Sequence, residues 1–404
     1  MDQNALLADK LESWAKALTE TAQSIRDSPG EVTRDDRSRL SDTAHGILRA
    51  TQQPGDQLVD SFIGVVQLTA VRLFIKWNVF EKIPEQGSIS YEELAAKVGA
   101  HTSLIRRFAW ALVATGVLEQ VEQDKVAHTA TSQACASASP LRALAQMSFD
   151  DHITALISMP SYFDKYGLQE PTGRYGTVFA YSLGDPDLTV WEHLNRNKER
   201  MANFMTSMVA MAQRMPVTGS YDFSWVAARA KDSNERTLIV DVGGGKGHAL
   251  EFICETTPGI PTCRCAVEDL PVVVDAARKE AKGSLAEAQF VSMDFHSEQP
   301  IKGALVYYIR RCLHDYDDEV AADMLSKIRE AMALDSRLLI VEELLNNPPS
   351  AFGSATDIIM ATIGGKERTL EDFRAVAARA GLRVVEAHRA EGSTVAAIEC
   401  VREE

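Results

Sequence analysis

Cysteine is scarce and unpatterned in this 404-residue chain: Cys135, Cys254, Cys263, Cys265, Cys312 and Cys400 are its six, and none forms a CxxC pair. That excludes a disulfide-stapled miniprotein, and without a ligand set of zinc spacing no metal site is expected. Cys263 and Cys265 would share a face on a strand, and they read as small apolar side chains. Long hydrophobic runs are missing too. No uninterrupted apolar stretch reaches the roughly 18 residues a bilayer requires, so no spanning segment is expected. The opening MDQNALLADKLESWAKAL has acids where a signal peptide would be basic, so a cytoplasmic protein is expected. Positive charge is in deficit: 42 Lys and Arg against 57 Asp and Glu give a net charge of −15. Such a surface repels phosphate backbones, and nucleic acid is not an expected partner.

What remains is ordinary globular composition, 45% apolar and 25% charged, with a length that suggests two or three domains. Leu7, Leu11, Trp14, Leu18, Ala22 and Ile25 recur at helical steps, so residues 1 to about 30 predict an amphipathic helix. Residues 27–42 are polar and read as a loop or linker; an apolar helix is expected around 58–80. Ser90 then precedes YEELAAKVGA, a turn leads into SLIRRFAWALVATGVLEQV, and EQDKVAHTA suggests a two-stranded wing. This winged-helix order can bind DNA, here through Arg106 and Arg107, or it can dimerise. The apolar second helix (Leu104, Phe108, Leu112) and the acidic chain favour dimerisation. Residues 140–230 read as helical and rich in methionine, a side chain that suits a core or an adaptable pocket.

From 237 onward strands and helices alternate, which predicts an α/β, doubly wound parallel sheet with helices on both faces. Within LIVDVGGGKGHAL a buried strand ends at Asp241, and Gly243, Gly244, Gly245 and Gly247 turn the chain into a helix. The spacing is GxGxG rather than GxGxxG, and Lys246 is followed by glycine rather than the Ser or Thr of a P-loop. An acid beside the loop disfavours a pyrophosphate and suits a ligand with a cationic centre or an amine. The next strand ends in Glu268-Asp269, where an acid can accept both hydroxyls of a ribose. The third ends in Asp294-Phe295, a carboxylate for an adenine amine beside an aromatic ring. His314, where the fourth strand gives way to a helix, is either a satisfied core residue or a general base. Glu342, and as a second choice Glu367, could orient it.

Together VDVGGGKG, EDLP (268–271), MDF (293–295), LHDYDDE (313–319), VEELL (341–345), GGKERT (364–369) and the winged-helix region resemble the S-adenosyl-L-methionine-dependent small-molecule O-methyltransferases of plants and fungi. The resemblance implies a Rossmann-like catalytic domain and a winged-helix dimerisation domain. Asp241, Gly243 and Gly245 would belong to the cofactor loop, Asp269 would hold the ribose, and Asp294 with Phe295 the adenine. Arg310 falls where the family often carries a cation near the adenine. His314 would be the base, steered by Glu342 and Glu367, acting on a phenol or enol of a secondary metabolite, an aromatic polyketide or a pyridone-like compound. His296 and Tyr316 stand where an aromatic residue and Trp are common. A homodimer is expected, with a helical and winged-helix region over 1–140, a helical linker and pocket wall over 141–219, and the cofactor domain over 220–404.

Asp150-Asp151-His152 has two readings, a capping cluster or a working histidine. A few fungal proteins that resemble this family bind the cofactor without transferring methyl. They catalyse dehydration and pericyclic reactions of pyridone-type precursors, and they carry a histidine in this upstream region. In that alternative His152 handles the proton and the sulfonium acts electrostatically.

Overall fold

The computed structural model describes residues 3–27, 32, 34–212, 215–232, 235–390 and 393–403. The chain divides into two compact units, 1–133 and 134–404.

The first unit opens with helices Gln3–Asp27 and Arg34–Thr51. The second helix corrects the reading of 27–42 as a loop; residues 28–31 and 33, also in that stretch, lie outside the described residues. Polarity misleads there because a helix needs only a narrow contact. Trp14 of the first helix lies against Gly46 of the second, where an added Cβ would meet the indole at 3.1 Å. The third helix, Pro54–Lys76, begins four residues before the expected 58 and ends short of 80. Its stretch Gly55–Lys76 is, by length and composition, apolar enough to cross a membrane, with mean hydropathy 1.7. This corrects the expectation drawn from uninterrupted runs: Asp60, Ser61, Gly64, Gln67, Thr69 and Arg72 break the run, but the Leu, Ile, Val and Phe between them keep the mean high. Its N-terminal half leaves Leu58 76% and Phe62 68% exposed, whereas Ala70, Phe74 and Ile75 are buried.

The winged helix follows. Ser90 Oγ accepts from the Glu93 amide at the start of helix Tyr91–Val98, and Glu93 returns the bond to the Ser90 amide, a capping box. Gly99, with φ 66°, ends that helix in the left-handed region a side chain would resist. Helix Thr102–Ala114 comes next, then antiparallel strands Leu118–Glu122 and Lys125–His128, the latter also paired with Ile89–Ser90. Arg106 stacks over the Trp110 ring, 5.2 Å from its centroid.

The second unit begins with helices. Pro140–Met147 runs into a π-helical turn at Ser148–Ile153, which carries Asp150, Asp151 and His152, and then into Thr154–Tyr166. Helix Lys198–Ala212 packs on the first of these: Asn203 Nδ2 donates to Ala143 O (3.1 Å) and Ser207 Oγ to Met147 Sδ (3.1 Å).

Seven strands form one sheet: β1 Ile239–Val242, β2 Cys265–Asp269, β3 Gln289–Ser292, β4 Val306–Arg310, β5 Arg337–Glu343, β6 Leu382–His388 and β7 Val395–Arg402. The order is β3-β2-β1-β4-β5-β7-β6, with β1 to β5 parallel and β7 antiparallel to both neighbours. Alternate residues divide between two cores. Val240, Val242, Tyr307, Ile309, Leu338 and Ile340 meet helices Asp318–Ala331 and Leu370–Arg379, while Ile239, Val267, Val306, Tyr308 and Leu339 meet Ser224–Arg229 and His248–Thr256. Chain order reverses between β1 and β4, so their carboxyl ends open a crevice suited to a ligand. Cys263 and Cys265 do not share a strand face, which corrects their pairing. Cys263 lies exposed in the 3₁₀ turn Thr262–Arg264, and Cys265 begins β2 and is buried.

Candidate active site

Two groups of side chains lie beyond the carboxyl ends of the parallel strands. The first surrounds the glycine loop. Asp241, near the end of β1, is 2% exposed and its carboxylate lies under the loop: a Cβ on Gly244 would stand 2.5 Å from its Oδ2. That oxygen is buried with no hydrogen-bond partner among the described residues. Burial raises the Asp241 pKa, Arg310 opposes this and Asp269 reinforces it, leaving it at about 7. Gly243 has φ 69°, and a Cβ there would meet Cys312 Sγ at 2.8 Å and the Phe295 ring at 3.4 Å. Only glycine satisfies both the turn and the close approach.

Asp269 spans the loop, accepting from Gly245 N (2.9 Å) and Leu270 N (2.7 Å). Asp294 Oδ1 accepts from His296 N (2.9 Å), and Phe295 packs edge-on against both His296 and Tyr316. Arg310 reaches the Met215 carbonyl (3.0 Å), while its Nε is buried without a partner among the described residues. Glu268, which sequence reasoning placed only as a neighbour of Asp269, is fully buried; its Oε2 accepts from Gln299 (2.6 Å) and its Oε1 has no partner among the described residues. Unpaired buried carboxylate oxygens are costly, and a cationic ligand would relieve that cost. The loop, the three strand-end acids and the Phe295 ring therefore fit a nucleoside that carries positive charge.

The second group surrounds His314, in the 3₁₀ turn Leu313–Asp315 after β4. Its Nδ1 lies 2.9 Å from Glu367 Oε1 and 3.9 Å from Glu342 Oε2, and its Nε2 is 3.6 Å from Asp315 Oδ1. With Nδ1 donating to Glu367, Nε2 keeps the free lone pair of the neutral ring. Burial disfavours the imidazolium, but Glu342, Glu367 and Asp315 outweigh it and raise the pKa to about 10. Glu342 also holds the turn, its Oε1 accepting from the amides of Cys312 and Leu313 at 3.0 Å each.

The GGKER segment locks onto the same turn. Lys366 N donates to His314 O (2.8 Å), and buried Arg368 donates to the carbonyls of Leu313 (3.1 Å) and Tyr316 (2.8 Å) and to Asp318 Oδ1 (2.8 Å). Sequence reasoning missed Arg368; an arginine beside a motif glutamate is a signal, but its targets are backbone atoms. A Cβ on Gly365 would fall on the His314 carbonyl. Gly365→Ala is therefore expected to cost about 1–3 kcal/mol, as overpacking does. Urea denaturation checks this against Gly64→Ala, where nothing lies within 4 Å of the added methyl.

The structure thus gathers Asp241, Gly243, Gly245, Asp269, Phe295 and Arg310 around the loop, with Asp294 beyond β3, and His314, Glu342 and Glu367 at the turn. His152 joins neither group through a hydrogen bond or ion pair among the described residues. Its turn is anchored instead by Asp151, whose Oδ1 pairs with Arg200 Nε at 2.7 Å, and burial lowers the His152 pKa.

The chain is similar to known proteins over most of its length. A model of the O-methyltransferase domain matches residues 167–383, and one of the O-methyltransferase dimerisation domain matches 59–138. Methyltransferase cfoD of Aspergillus candidus is 38% identical over 98% of this chain and 100% of its own length. Methyltransferase eqxD of Fusarium heterosporum is 37% identical over 84% of this chain and 93% of its own. Among solved structures, OxaC in complex with S-adenosylhomocysteine and oxaline superposes with TM-score 0.85 at 23% identity, covering 100% of both chains. The LepI complex with S-adenosylmethionine gives TM-score 0.82 at 23% identity, over 98% of this chain and 100% of that one. The glycine loop with its strand-end acids, the winged helix and these matches over nearly the whole length have one explanation: the chain belongs to the S-adenosyl-L-methionine-dependent O-methyltransferase family of fungal secondary metabolism.

Proposed function

We propose that the protein methylates a phenolic or enolic hydroxyl of a secondary metabolite, an aromatic polyketide or a pyridone-like compound, with His314 as general base. The observation that carries this reading is the 2.9 Å contact between His314 Nδ1 and Glu367 Oε1, with Glu342 behind it. A base held on one nitrogen by a carboxylate presents the other to a substrate proton and stabilises the imidazolium that results. Bound S-adenosyl-L-methionine supplies an electrophilic methyl group on a sulfonium. Asp241 and the glycine loop would hold its amino-acid part, Asp269 the ribose, and Asp294 with Phe295 the adenine, with Arg310 beside that site. The dimerisation-domain match and the uncovered apolar side of Pro54–Lys76 support a homodimer.

A second reading rests on His152. It sits on a π-helical turn, an element frequent at functional sites, and has no hydrogen-bond partner among the described residues. In that reading the protein is a non-methylating dehydratase or pericyclase. Retention of His314 with its carboxylates favours methyl transfer.

The test uses S-adenosyl-L-methionine with a deuterated methyl group, incubated with the protein and fungal metabolite extracts and followed by mass spectrometry. Label on a product is the expected result. Metabolites that change without gaining label would overturn methyl transfer and turn attention to His152→Ala.

A further inference from the structure

Arg311 has no role in the reading above, and its surroundings are unusual. It follows β4 directly, and its amide donates the last ladder bond to Val341 O (3.2 Å). Its φ is 53°, in the left-handed region that a non-glycine residue enters at a cost. That backbone sends a guanidinium to a place where little receives it. Among the described residues Nε is shielded from solvent with no hydrogen-bond partner, and the side chain's one hydrogen bond runs from Nη2 to the Met208 thioether at 3.8 Å. No ion pair joins it to a carboxylate among the described residues. Arg368, nearby, shows what a structural arginine looks like here, with its donors spent on Asp318 and on backbone carbonyls.

Burial and the neighbouring Arg310 disfavour the charge of Arg311 and lower its pKa, while Glu342, Asp315 and Glu367, the carboxylates around His314, partly offset them. The guanidinium reaches Met208 of helix Lys198–Ala212, and the residue stands three positions before His314 in the chain. A planar fork with unspent donors is suited to an oxygen that bears negative charge.

We propose that Arg311 determines acceptor specificity by binding the oxyanion of an acidic phenol or enol, so that the substrate is held ionised beside His314. This rests on the methyl-transfer reading and names the class of acceptor that site takes. When the His314 ring is neutral, the substrate O–H bond breaks, the proton passes to His314 Nε2, and the electron pair stays on the oxygen. Arg311 faces the negative charge so formed. The strained backbone is then explained, because an ordinary φ would aim the side chain elsewhere.

The test uses the full chain saturated with S-adenosylhomocysteine and titrated with 4-nitrophenol, whose visible absorbance reports the ionisation of the bound probe. Wild type is expected to bind the phenolate at a pH where the free probe is partly neutral. Arg311→Gln should weaken binding by about tenfold or more and shift the bound probe toward its neutral form. Arg311→Lys should recover part of both effects. Equal affinity and equal ionisation in wild type and Arg311→Gln would overturn the proposal. So would a wild type that holds S-adenosylhomocysteine but takes up neither form of the probe. Should Arg311→Gln fail to fold, 4-nitroanisole, a neutral near match in shape, decides on wild type alone: weaker binding than 4-nitrophenol supports the proposal, and equal binding overturns it. Failure of wild type to bind S-adenosylhomocysteine would overturn the cofactor reading and this one with it.

Discussion

His314→Ala is expected to lower methyl transfer by about 10²- to 10⁴-fold, the usual contribution of a positioned general base. Cofactor affinity should stay close to that of wild type, because no hydrogen bond or ion pair among the described residues joins His314 to Asp241, Asp269 or the glycine loop. Isothermal titration with S-adenosyl-L-methionine and single-turnover transfer separate the two quantities. The pH profile adds a sharper criterion. Burial opposes the imidazolium, but three carboxylates outweigh it and set the pKa at about 10, well above the ordinary imidazole value. One limb of the kcat/KM profile should therefore lie near pH 10. Glu367→Gln removes a carboxylate that favours the charged ring, so this limb should move to lower pH. A profile unmoved by Glu367→Gln would remove His314 from the proton transfer.

Cofactor affinity should itself depend on pH through Asp241. Burial raises its pKa, only partly countered by Arg310 and reinforced by Asp269, to about 7. A cationic ligand binds the ionised carboxylate better. Below the pKa the carboxyl is protonated in the free protein and must lose that proton on binding, so affinity for S-adenosyl-L-methionine should fall by up to about tenfold per pH unit. Above the pKa the dependence should flatten. Asp241→Asn should be weaker at alkaline pH and largely insensitive to pH, which separates its contribution from that of Glu268, also raised to about 7 by burial. Titration calorimetry in buffers of different ionisation enthalpy would count the proton released. A wild type whose affinity is flat across this range would show that Asp241 does not face the cofactor's positive charge.

Much of the site is readable from the chain because strand ends are local events. An apolar run that stops at an acid or glycine marks a carboxyl end, and a parallel sheet gathers such ends along one edge. Asp241, Asp269, Asp294 and His314 follow this rule. Glu367 does not: it reaches His314 across 53 residues, a pairing that strand-end position ranks only second to Glu342. Helix Arg34–Thr51 is hidden because its first half is strongly polar, and the contact of Gly46 with Trp14 lies beyond that polar stretch. The membrane-length apolar stretch is hidden because polar and charged residues break it into short runs while its mean hydropathy stays at 1.7.

The sequence by itself determined the doubly wound sheet, the cofactor loop and the order of its acids, since periodicity, glycine spacing and strand-end chemistry are written in consecutive residues. The tertiary structure alone decided the protonation chemistry. Whether Asp241 titrates near 7 or His314 near 10 depends on which distant charges share its buried space. It alone set Arg311 apart from Arg368 as well. Both are arginines beside a catalytic motif, but one spends its donors on backbone carbonyls and Asp318 while the other, held at φ 53°, keeps its Nε shielded and unpaired.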